Sequence, residues 1–269
     1  MLLREVSYAR AENVQDAVRL LSQHPNARPL AGGQTIVNVM KARAAAPDVL
    51  VDLNGIEELE GVRTTSKGGL ELGAMATYTE IVESEDVNDF RPLLAEVTNT
   101  IADVQVRNRG TLGGNVCSND PTNHLPPLMV AMDAEMTILG ESGERIVPAE
   151  DFFLGVYLTA VGPGELLTRV TIPARRGGDG FAALTIGREG TCIVSAAAMA
   201  QDGETRLVVG CVSAVPVLLR TGPDPDAAVR AVRDADLDPP SDVHASADYR
   251  RHLAEVLARR AVGQAAGVD

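Results

Sequence analysis

The chain has 269 residues, 45% of them hydrophobic, and a formal net charge of −13. That size and apolar content support a substantial buried core, in one large domain or two modest ones. A field of this sign repels nucleic-acid phosphates and anionic membrane surfaces, and with no Trp, four Phe and four Tyr the stacking platforms of single-strand nucleic-acid binding are missing too.

In chain order, MLLREVSYARAE meets charge too early for a signal peptide. Val14, Ala17, Val18 and Leu21 keep helical spacing up to Pro25. Arg28 to Ala31 reads as a strand that stops at Gly32-Gly33, a helix follows through Ile36 and Met40 to Arg43, and Val49 to Leu53 forms an apolar strand before the Asn54-Gly55 turn. Leu70 to Met75 alternates as a strand, a short helix starts near Thr79, and a longer one from about Phe90 to Ala102 buries Leu93, Leu94, Val97 and Ile101. The basic turn Arg107-Asn108-Arg109 leads to a second glycine pair, Gly113-Gly114.

A helix near Pro127 to Met132, a strand near Glu135 to Leu139 and a strand from Glu165 to Ile172 come next. The run from Pro173 to Gly180 reads as a linker, and meander-like strands follow at Phe181 to Ile186, Cys192 to Ala200 and Arg206 to Val212. A polar loop, about 234–242, and a helix from Ala247 to Ala261 close the chain. The longest apolar stretch, Leu207 to Leu219, is broken by Gly210, Ser213 and Pro216 and falls short of the roughly 20 residues of a membrane span. The expectation is a cytoplasmic protein with no membrane insertion.

Cys117, Cys192 and Cys211 lack C-x-x-C spacing, which points away from a disulfide framework, a zinc site or an iron–sulfur cluster within this chain. The four histidines are scattered without metal-ligand spacing. Ala31-Gly32-Gly33-Gln34-Thr35 sits between a strand and a helix, and Thr111-Leu112-Gly113-Gly114-Asn115 follows the basic turn. Without a Cβ in the way, backbone N–H groups in such segments suit a pyrophosphate. Neither segment is a G-x-G-x-x-G dinucleotide fingerprint or a G-K-[ST] triphosphate loop. Each pair alone more often makes a tight turn, and hydrogen-bond magnitudes favour a site that needs both.

Taken together, AGGQT (31–35), DVLVDLNGIEELEGV (48–62), LELGAMATYTEI (70–81), ADVQVRNRGTLGGNVCSNDP (102–121), FFLGVYLTAVGPGELLTRVTIP (152–173) and DYRRHLAEVLARRAV (248–262) resemble the FAD-binding medium subunits of molybdenum hydroxylases, of the aerobic carbon monoxide dehydrogenase and xanthine dehydrogenase type. The resemblance implies an α+β fold. A two-lobed, PCMH-like FAD domain would span 1–175, with lobes of about 1–60 and 61–175, and a smaller α+β domain would span 176–269.

The resemblance also implies that Ala31, Gly32, Gly33, Gln34 and Thr35 hold the FAD pyrophosphate from one side, and Thr111, Gly113, Gly114 and Asn115 from the other. Asp120, Asn123, Leu166 and Leu167 would lie near the rest of the cofactor. The family pattern usually has Asp where this chain has His124, so His124 would stand in as an acceptor for a cofactor hydroxyl. Lys and Asp are common in the family where Thr185 and Cys192 align.

The implied activity is that of an oxidoreductase subunit. It would pass electrons from a small 2[2Fe-2S] subunit, served by a large molybdopterin subunit, to an external acceptor, in a dimer of heterotrimers. The alternatives are a free-standing FAD oxidoreductase acting directly on a small organic substrate, and a scaffold with weakened FAD binding.

Overall fold

In the computed structural model, which describes residues 3–187 and 190–268, three parallel strands come first. They are β1 (Ser7–Arg10), β2 (Ala27–Leu30) and β3 (Val49–Asp52), ordered β1-β3-β2. Parallel neighbours need crossover connections, which helices α1 (Val14–Gln23) and α2 (Ile36–Lys41) supply. The side chain of Asn13 caps α1 by accepting the Asp16 N–H at 2.9 Å, and its buried face is the expected Val14, Ala17, Val18 and Leu21. Helix α2 ends short of Arg43, whose φ of 63° leaves helical space. Strand β1 was not expected from the sequence, because most of its side chains are exposed and show no apolar alternation.

The middle of the chain contributes β4 (Val62–Thr64), β5 (Leu70–Gly73), α3 (Tyr78–Glu83), α4 (Glu85–Phe90), α5 (Pro92–Asn99), α6 (Val104–Arg107), α7 (Leu112–Ser118) and α8 (Leu125–Ala131). It continues through β6 (Glu135–Gly140), β7 (Gly143–Pro148), α9 (Ala149–Phe152), β8 (Phe153–Gly155), β9 (Leu158–Thr159) and β10 (Leu166–Ile172). The order β4-β5-β10-β6-β7 makes an antiparallel five-stranded sheet, and β8 and β9 form a separate hairpin. Leu94, Leu128, Met129 and Phe152 are fully buried in the core under the sheet. The helix expected over Phe90 to Ala102 is only α5, because Arg91 leaves helical geometry before Pro92 and Ala102 stands at φ 49°.

The last part is a meander, β11 (Asp179–Ile186), β12 (Thr191–Gln201), β13 (Glu204–Gly210) and β14 (Val217–Thr221), paired in that order, with α10 (Pro225–Asp234) and α11 (Ala247–Ala266). Strand β12 is buried on both faces. Ala196 and Ala198 meet Leu253, Leu257 and Ala261 of α11, and Ala197 and Met199 join the core of the five-stranded sheet. Gly180 allows the close approach of α11, since a Cβ there would stand 2.2 Å from the Ala261 carbonyl oxygen. Helix α11 runs five residues past the expected Ala261 and stops at Gly267, left-handed at φ 67°. The architecture is α+β, as expected.

Candidate functional site

The first glycine segment follows β2 of the parallel sheet, the carboxyl end of a strand where open α/β arrangements place ligands. Gly33 stands at φ 74°, a conformation that favours glycine. The backbone N–H groups of Gly32, Gly33, Gln34 and Thr35 have no hydrogen-bond partner among the described residues, whereas the carbonyls of Gly33 and Thr35 accept the N–H groups of Val37 and Val39 at 3.2 and 3.0 Å. The segment is braced from behind. Asn54 donates through Nδ2 to the Ala31 carbonyl at 3.4 Å and to Asp52, which also accepts the Tyr8 hydroxyl at 2.5 Å. Burial pushes the Asp52 carboxyl up, but the hydrogen bonds from Tyr8 and Asn54 and the nearby charge of Arg10 outweigh it, so the carboxyl is held below its ordinary value.

The second glycine segment is helical, not a loop. Thr111 caps α7 by accepting the Gly114 N–H at 3.0 Å, Leu112 and Gly113 donate to the carbonyls of Ala76 and Ala74 at 2.9 and 2.8 Å, and Asn115 donates to Thr111 at 3.0 Å. Every N–H from 112 to 115 is therefore committed within the chain. The glycines serve packing instead. A Cβ on Gly113 would stand 2.6 Å from the Ala74 carbonyl oxygen, and one on Gly110 would stand 2.7 Å from the Tyr78 ring.

The two segments adjoin. A Cβ on Gly32 would fall 1.8 Å from the Arg109 carbonyl oxygen, and one on Gly114 would face Ala31 at 3.9 Å. Asp103 caps α6 by accepting the Val106 N–H at 2.8 Å, and Arg107 donates to the carbonyls of Ile101 and Ala102 at 3.1 and 2.8 Å, so both fix the approach to this turn.

Asn115 donates to the Tyr78 hydroxyl at 2.9 Å, while its Oδ1 is buried without a partner. Beyond α7, Asn119 turns left-handed at φ 39° and donates to the carbonyls of Gly155 and Leu158, tying the β8–β9 hairpin down. Asp120 accepts from Thr122 and from the Tyr157 hydroxyl at 3.0 Å, and Asn123 reaches back to the Asn115 carbonyl at 3.4 Å. His124 is buried at the start of α8, edge-on to Phe181 with ring centroids 5.4 Å apart, and its Nδ1 has no partner.

Cys192 and Cys211 are buried in the same region. The Cys211 thiol donates to the Pro121 carbonyl at 2.7 Å. Residues 31–35, 111–115 and 119–124 thus form one connected neighbourhood. Leu166 and Leu167 are buried in the apolar cores at the start of β10. Sequence reasoning missed Asn54, Tyr78, Asn119 and Tyr157; the Asn-Asp-Pro run at 119–121 after a helix was the one available signal, for a left-handed helix end.

The family model described as "FAD binding domain in molybdopterin dehydrogenase" matches residues 4–175, and that described as "CO dehydrogenase flavoprotein C-terminal domain" matches 224–265. The chain is similar to the glyceraldehyde dehydrogenase medium chain of Sulfolobus acidocaldarius, 32% identical over 97% of this chain and 99% of that one. It is 35% identical to the carbon monoxide dehydrogenase medium chain of Afipia carboxidovorans, over 98% of both. Its fold is similar to a chain in the crystal structure of the Cu,Mo-CO dehydrogenase in its cyanide-inactivated form, with a TM-score of 0.92, 35% identity and 99% of both chains covered.

Proposed function

We propose, from the premise that this chain belongs to the family of FAD-binding subunits of molybdopterin-dependent dehydrogenases, that it is an electron-transfer subunit taking electrons from iron–sulfur clusters of a partner chain and delivering them to an external acceptor. Its cofactor is FAD. The observation that carries the reading is the adjoining pair of glycine segments, one with four uncommitted N–H groups and the other locked in place as its wall.

The residues present fit the cofactor. Gly32, Gly33, Gln34 and Thr35 offer donors to a pyrophosphate, and the partnerless Asn115 Oδ1 and His124 Nδ1 offer acceptors to hydroxyl or N–H groups. Hydrogen bonds to a charged group contribute about 1.5 to 3 kcal/mol each. Four of them match the roughly 4 to 15 kcal/mol cost of immobilising a ligand, so burial of the rings supplies the net affinity. When bound, FAD supplies the capacity to accept and release electrons. The residues of 31–35 bind it, Asn54 and Thr111 hold the two segments in position, and Asp120, Asn123 and His124 line the approach to them.

Three cysteines in all are too few for the four thiolates of an ordinary iron–sulfur cluster, which supports cluster ligation in a separate small 2[2Fe-2S] chain beside a large molybdopterin chain. The apolar hairpin tip at Leu154, Val156, Tyr157 and Leu158 is exposed beside Asp120, a feature suited to burial in such an assembly. Glyceraldehyde and carbon monoxide share no recognition chemistry, yet the medium chains named for them are nearly equally similar to this one. This supports substrate selection outside this chain. Among the described residues no helix is long and apolar enough to cross a membrane, in keeping with a cytoplasmic complex.

Purification of the native chain from its source tests the proposal. A Cys-rich iron–sulfur chain and a molybdopterin chain should co-purify in fixed ratio; recovery of the flavin chain alone at every ionic strength would contradict it.

A further inference from the structure

Although the chain as a whole is strongly acidic, one cleft of about 90 Å³ is walled by Arg91, Arg175, Arg176 and Arg206, with Asp133 as the single carboxylate among its lining residues. It lies where residues 173–178 cross from β10 to β11, beside the far ends of α8 and β12. Arg206 is already neutralised, by Asp133 at 3.1 Å and Glu150 at 3.2 Å. The other three guanidinium groups have a single carboxylate partner among them. Arg175 pairs with Asp179 at 3.2 Å, and Arg176 makes neither an ion pair nor a hydrogen bond among the described residues.

Arg91 is only 5% exposed and makes no ion pair among the described residues. Its Nη2 donates to the Pro173 carbonyl at 2.6 Å, and its Nε is buried without a partner. Three cations therefore share one carboxylate, and one of the three is desolvated, an arrangement that is costly until a counter-charge arrives.

The crossing is also held firmly. A Cβ on Gly177 would stand 2.2 Å from the Ala200 carbonyl oxygen, and one on Gly178 would stand 1.9 Å from that of Ala265. The cations of the crossing are thus presented from a backbone pressed against β12 and α11. None of the residues lining the cleft belongs to 31–35, 111–115 or 119–124, so it is separate from the proposed FAD site.

We propose that the cleft binds a small tetrahedral dianion of the phosphate or sulfate class, held by Arg91, Arg175 and Arg176. Guanidinium groups suit such oxyanions because their fixed N–H forks bond two oxygens at once. The bound anion ties α5 to the crossing between β10 and β11.

Calorimetric titration of the full chain with orthophosphate, at ionic strength held constant with sodium chloride, tests this. Saturable binding near one equivalent is expected, with a melting temperature above that in chloride alone. In Arg175→Gln/Arg176→Gln the affinity should fall at least about tenfold, and the single variant Arg176→Gln, which breaks no ion pair among the described residues, should weaken binding while the phosphate-free melting temperature stays at the wild-type value. Arg91→Lys should weaken binding while keeping the charge. Gly33→Asp, which blocks the proposed FAD loop, should bind orthophosphate as the wild type does.

Equal responses to phosphate and chloride, undiminished affinity in the double variant, or loss of binding in Gly33→Asp would each overturn the proposal. Glycerol 3-phosphate distinguishes the sources. Binding as tight as that of orthophosphate identifies the terminal phosphate of a larger molecule, and binding of orthophosphate alone identifies a free anion.

Discussion

At Gly33 the backbone stands at φ 74°, and an added Cβ would meet only Leu30 and Val37, at 3.5 and 3.6 Å. Gly33→Asp thus places a carboxylate beside four uncommitted N–H groups at the cost of modest backbone strain. FAD retention should be lost while the melting temperature falls by only a few degrees, as flavin absorbance and thermal unfolding would read. Gly113 is different, because its Cβ position lies 2.6 Å from the Ala74 carbonyl oxygen. Gly113→Ala should destabilise the fold by about 1–3 kcal/mol through overpacking, seen as a lower midpoint of urea unfolding whether or not FAD is present.

Asp52 gives a pH signature. Its folded value lies below the unfolded one near 3.8. Its contribution to stability is therefore complete above that unfolded value and is lost as pH falls through the folded value. The melting temperatures of wild type and Asp52→Asn should differ at pH 7 and converge below about pH 4; a constant gap would remove Asp52 from the brace.

Between elements, the tie of α7 to the β8–β9 hairpin rests on Asn119, buried and left-handed, with two side-chain bonds to hairpin carbonyls. Asn119→Ala should cost about 1–3 kcal/mol and increase hydrogen exchange in residues 153–159; unchanged exchange there would mean that the hairpin is held by other contacts.

How much of this level the sequence revealed depended on periodicity. Helices α1 and α11 and strands β5, β10 and β12 carry apolar patterns of adequate length and were legible. Strands β1 and β7 show mostly exposed side chains, and α6 is a single turn, so none of them leaves a pattern to read. Helix α10 went unread despite a buried Ala228 and Val232, because the Pro-, Asp- and Arg-rich stretch around them reads as polar loop. Helix α7 went unread because Gly113-Gly114 signals a turn locally, and only the tertiary contact with Ala74 explains glycine inside a helix. For the same reason the sequence located both glycine segments but assigned N–H donation to both, whereas the structure leaves free donors on the first alone.

Across the whole molecule, the apolar cores of the five-stranded sheet and of the meander share β12, one alternating set of its side chains in each. The buried His124, Cys192 and Cys211 lie at this junction, beside the turn at 119–124. Nothing local in the sequence brings position 124 to position 192, and only the packing of α8 on β12 does so. His124→Asp, restoring the residue usual in the family pattern, should leave FAD affinity unchanged or improve it; a marked loss would give His124 a role of its own.

The central claim is that one FAD is held by the chain through the segment 31–35. Its most direct test is the flavin absorbance retained after incubation with FAD and removal of the excess, for wild type and Gly33→Asp side by side. The account predicts close to one equivalent on the wild type and little on the folded variant. Equal retention by both, or none by the wild type even within its native complex, would contradict it.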